Sequence, residues 1–96
     1  MKIEHIAQEL EQAVRQFGLE VRREKGNFRG GRCTVNGEDL VMLNKRHPPE
    51  VHVAVLADVL RELPTDTIFL RPAVRDAMED AWLRHTETED LEADAD

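Results

Sequence analysis

REKGNFRGGRCTVNGEDLVML, residues 23–43, is the stretch that decides how this chain folds. At its centre stands Asn36-Gly37, a strong hairpin signal because both residues tolerate the positive φ of a tight turn. On either side, GGRCTV (30–35) and EDLVML (38–43) have the make-up of strands. A two-residue loop places Cys33 opposite Leu40, and a three-residue loop places it opposite Val41; the sequence leaves both open. The run Leu40-Val41-Met42-Leu43 is apolar on both faces, so this strand is expected to be the central or best-covered one. Upstream, Leu19 and Val21 alternate with Glu20 and Arg22, which reads as a half-buried strand. Lys25-Gly26-Asn27 reads as a turn. The expectation is a three-stranded antiparallel meander.

Outward from the strands the period becomes helical. Ile3, Ile6, Ala7, Leu10, Val14 and Phe17 recur every three or four residues, predicting a helix over 3–17 closed by Gly18. The segment VHVAVLA (51–57) is β-branched enough for a strand. Yet the pair Pro48-Pro49 suits a helix start, and the apolar spacing persists to Leu63, so a helix is expected over 49–63, stopped by Pro64. TDTIFL (65–70) reads as an extended connection. Pro72 then opens a last helix through about residue 85. The fold class is α+β, order α-β-β-β-α-α, with the helices packed on one face of the sheet.

Ninety-six residues, 41% of them hydrophobic, support one domain, expected over 1–84. No apolar run reaches the ~20 residues of a membrane helix, and the first residues lack the apolar block of a signal peptide. A cytoplasmic protein is expected, and a single cysteine agrees with that. The net charge is −7, and Glu87, Glu89, Asp90, Glu92, Asp94 and Asp96 carry most of it. Residues 85–96 therefore read as a disordered, solubilising acidic tail, and the body is close to neutral.

Little in the chain points to catalysis. Gly30-Gly31 precedes a strand rather than a helix, and no Gly-Lys-Ser/Thr follows, so a phosphate-cradling loop is excluded. Cys33 alternates with Val35 and reads as a small core residue, not an activated thiol. His47 and His52 are five apart, which does not place them on one helix face as a metal pair needs. No carboxylate pair is set in an apolar surround. The expectation is a non-enzymatic module without metal or cofactor.

The most distinctive feature is basic. Arg15, Arg22, Arg23, Lys25, Arg29 and Arg32 meet only Glu20 and Glu24 in their stretch, and Lys45 follows the last strand. Arg22, Phe28, Arg29, Arg32 and Lys45 form a candidate ligand face, with Phe28 as a stacking platform for single-stranded nucleic acid. Alternation sends Arg22 away from Val21 and Arg32 away from Cys33, so both are expected to leave the core face. The alternative is a set of arginines whose stems cover a sheet and whose heads are solvated.

The Gly pair, Cys33, Asn36-Gly37-Glu38, Leu43-Asn44-Lys45, Leu56-Ala57 and Pro72-Ala73-Val74-Arg75 together resemble a family of short, uncharacterised bacterial proteins, over about residues 18–80. The resemblance implies a bacterial cytosolic protein and supplies no catalytic residues; the acidic tail lies outside it. The combined expectation is a module that binds a protein partner or a second copy of itself. Weak anion or nucleic-acid binding by the basic strands is the alternative.

Overall fold

The computed structural model describes residues 1–94, with side chains through Arg84. Its elements are α1 (Ile3–Gln16), β1 (Glu20–Glu24), β2 (Gly31–Val35), β3 (Glu38–Asn44), α2 (Pro49–Leu60), a 3-10 turn (Thr65–Thr67) and α3 (Pro72–Asp94). The α+β class and the element order stand. The acidic tail expected over 85–96 lies outside the residues whose side chains are described.

The sheet is mixed, not an antiparallel meander. Its strand order is β1-β3-β2. β1 runs parallel to β3 with Val21 opposite Val41, and β2 runs antiparallel to β3. The reason is the apolar run Leu40–Leu43: the middle place covers it on both sides, while the charged β1 tolerates an edge. Residues 25–30 are thus not a tight turn. They cross the end of β3 to bring the chain from one edge of the sheet to the other.

Between β2 and β3 the loop has two residues. Asn36 (φ 53°) and Gly37 (φ 81°) both take the left-handed conformation such a turn demands. Of the two open registers, the one with Cys33 opposite Leu40 holds. Val41 and Leu43 join Val21 on the face that packs on the helices, and Leu40 and Met42 point the other way.

The apolar stripe of α1 buries Ala7, Leu10, Ala13 and Val14. α2 is more apolar around its girth and lies between α1, α3 and the sheet. Its Leu56 and Leu60 are fully buried beside Leu43, Val74 and Met78. α2 ends earlier than its apolar spacing predicts. After Leu60 the amides of Glu62 and Leu63 turn to Val59 and Leu60, a tightening that ends the α-helix ahead of Pro64. Trp82 on α3 donates its indole N–H to the Ala57 carbonyl at 2.6 Å, pinning α3 to α2. Among the described residues no helix is long and apolar enough to cross a membrane.

Candidate interaction surfaces around the sheet

Asn44, the last residue of the central strand, organises one end of the sheet. It is 3% exposed. Its Nδ2 donates to the carbonyls of Gly26 (2.9 Å) and Phe28 (2.8 Å), and its Oδ1 accepts from the Arg46 amide (3.0 Å). Its own carbonyl accepts from the His47 amide (3.0 Å) and lies 2.7 Å from His52 Nε2. A buried amide whose side-chain donors and acceptor are satisfied fixes geometry more sharply than apolar contact does. Here it fastens the crossing segment 25–30, the turn 44–47 and α2 to one strand end. An Asn closing an apolar strand and a His inside VHVAVLA are the sequence signals for this network, and neither belongs to a motif that periodicity or spacing marks out.

That organisation gathers Lys25, Arg29, Lys45 and Arg46 at the same end of the sheet. None of the four is in an ion pair among the described residues. His47 lies beside them, and its Nδ1 is buried without a hydrogen-bond partner among the described residues.

The five residues of the expected ligand face are not brought onto one surface. Arg29 and Lys45 are exposed at the basic end. Phe28 is half-buried, and its ring lies over Gly26, so close that a Cβ there would meet Cδ1 at 2.9 Å. Arg22 pairs with Met42 and Arg32 with Val41, so the two arginines point to opposite faces of the sheet. Arg22 leaves the core face as expected, and its Nε donates to Glu20 at 3.0 Å. Arg32 stands on the helix side, where its Nε donates to Asp39 at 3.0 Å and its Nη1 lies 3.8 Å from Glu62. These bonds hold the carboxyls of Glu20 and Asp39 below their ordinary range and raise both guanidinium groups.

Cys33 is not a core residue. It is half-exposed on the helix-free face, because the two-residue loop pairs it with Leu40 rather than Val41. Around it that face presents Val35, 38% exposed, and the partly exposed Met42. Leu40 lies fully buried in its middle, between Glu20 on β1 and Cys33 on β2. No helix covers this face among the described residues. It is a small apolar island bordered by the Glu20–Arg22 ion pair.

No family model matches the chain, and neither a curated protein nor a solved structure matches it at a significant level.

Proposed function

We propose that this chain is a small non-enzymatic module that binds a protein partner, a second copy included, through its sheet. The observation that carries the reading is the helix-free face, where Cys33, Val35 and Met42 surround Leu40. Apolar side chains in the middle of a patch rimmed by charge are the arrangement of an interface core and its polar rim. The face spans three strands of five to seven residues. It is too small to bury the ~1,200–2,000 Å² of a standard stable interface by itself, so the association it supports is a transient one or is extended by a neighbouring surface.

A photo-cross-linking residue placed at Val35, with another at the exposed Glu4 on α1 as control, tests this in cells. Discrete protein adducts from position 35 and none from position 4 are expected. Equal yields from the two positions would contradict it.

One observation favours a second reading, anion binding at the basic end: Lys25, Arg29, Lys45 and Arg46 stand together, and none is in an ion pair among the described residues. Four cations of this kind support only weak, non-specific nucleic-acid affinity, with Kd ~10⁻⁴–10⁻⁶ M. Titration with a short single-stranded oligonucleotide at low and high salt separates the two readings. Binding to phosphate falls steeply with salt, and apolar association does not.

A further inference from the structure

The two edges of the sheet differ. β1 exposes Glu20, Arg22, Arg23 and Glu24, charges that guard an edge against strand pairing. β2 has one charge, Arg32, and that side chain is drawn back onto Asp39 of β3. The edge of Gly31–Val35 is accordingly the unguarded one.

Beside that edge runs a cleft whose other wall is α2. Its first part, about 320 Å³, lies between Gly30, Gly31 and the helix residues Val51, Ala54 and Val55. Its second part, about 490 Å³, lies between Arg32, Cys33 and Thr34 of β2, Asp39 of β3, and the helix residues Asp58, Val59 and Glu62. Asp58 lines both, so the two parts adjoin at that residue. Gly30–Thr34 extends over roughly 14 Å at strand rise. Val51–Val59 rises roughly 12 Å along the helix. The two walls therefore match over the length of four or five extended residues.

The cleft has an electrostatic direction. Arg29, exposed and unpaired among the described residues, stands where β2 begins. Asp39 and Glu62 stand at the other part, where Arg32 lies against both of them, and Asp58 stands between the two parts, so three carboxylates meet one guanidinium there. Between them the helix wall is Val51, Ala54 and Val55, apolar and only partly covered.

We infer that this cleft takes an extended peptide segment of a partner protein as a fourth strand on the free edge of β2. The inference rests on the proposed role as a protein-binding module and names its mode. Main-chain hydrogen bonds to β2 supply recognition of an extended backbone, and every second side chain of the segment meets α2. Those side chains are small and apolar, to suit Val51, Ala54 and Val55. The charge gradient sets the polarity: a carboxylate toward Arg29 and a basic group toward Asp58 and Glu62. An antiparallel segment then carries its carboxylate at its C-terminal side.

The test begins with a random seven-residue peptide library displayed on phage and panned on the full chain. A synthetic peptide of the most enriched sequence is then titrated with amide chemical shifts as the readout. Enrichment of alternating small apolar residues with Asp or Glu near the C-terminal side is expected, with the largest shifts along residues 30–35 and 51–58. Arg29→Glu should weaken binding roughly tenfold or more, as loss of a charged hydrogen bond implies, and a Lys in place of the peptide carboxylate should restore it. Ala54→Arg, a change at an exposed position, should abolish binding without lowering the melting temperature. Absence of enrichment, or shifts confined to surfaces outside the cleft, would overturn the inference. So would a case in which Arg29 responds only to an eight-residue thymidine oligonucleotide at low salt, which assigns it to phosphate. If cross-links from position 35 persist while no peptide enters the cleft, the protein-binding reading stands and the strand-addition mode falls. If both fail, the two readings fall together.

Discussion

His52 Nε2 lies 2.7 Å from the main-chain carbonyl of Asn44, joining a buried side chain in the first half of α2 to the end of the central strand. A carbonyl only accepts, so His52 carries its proton on Nε2 and donates. Nitrogen-15 correlation spectra of the neutral imidazole should show the Nε2–H tautomer; the Nδ1–H form would break this link.

Asn44 is expected to be the least replaceable polar residue of the fold. Asn44→Ala removes both donors from the Gly26 and Phe28 carbonyls and the acceptor from the Arg46 amide. A loss of about 2–3 kcal/mol in urea unfolding is expected. Amide exchange in residues 25–30 should accelerate beyond what the global loss explains. Asn44→Asp, similar in shape but unable to donate as a carboxylate, should cost a comparable amount.

Gly30 and Gly18 both hold positive φ, 92° and 88°, but their surroundings differ. A Cβ on Gly30 would meet the Met42 carbonyl oxygen at 2.8 Å, and one on Gly18 would meet nothing within 4 Å. Gly30→Ala should therefore destabilise more than Gly18→Ala, which carries only the ~1 kcal/mol-scale strain of a left-handed alanine. Thermal melts of the two variants decide this, and equal losses would contradict the close packing of 30 on 42.

Cys33 should label with a thiol reagent in the native protein. Its half-exposed place on the helix-free face means that the rate will not follow global unfolding, and low denaturant should leave it unchanged. A rate that rises with denaturant from the start would return the thiol to the core.

Arg32 holds the Asp39 carboxyl below its ordinary range, chiefly through hydrogen bonding. A depressed carboxyl stabilises the fold above its unfolded pKa and ceases to do so as pH falls through the folded one. The contribution is small, because the pair is exposed. Carbon-13 titration should show Asp39 protonating at lower pH than usual, and Arg32→Ala should move it back up.

The helices, the Asn36-Gly37 turn and the α+β class were legible because each rests on local chemistry: apolar period, proline position and positive φ. The sheet order was not, because segment 25–30 has the glycine of a turn and no sequence mark of a crossing. Its path depends on Asn44, eighteen residues beyond Gly26. The basic residues of the ligand face were legible as charges, but not as a surface. Arg22 and Arg32 separate to opposite faces through a register that sequence alternation within each strand does not fix. Cys33 was misplaced for the same reason.

The size of the native particle tests the interaction claim most directly. The tagged chain, fixed by a short-arm cross-linker in intact cells so that a transient complex survives extraction, should elute well above its 11.0 kDa monomer mass. The double variant Val35→Glu, Met42→Glu should elute as the monomer while keeping the wild-type circular dichroism. Elution of the wild type as a bare monomer, or of both forms at the same larger size, would contradict an interface on the helix-free face.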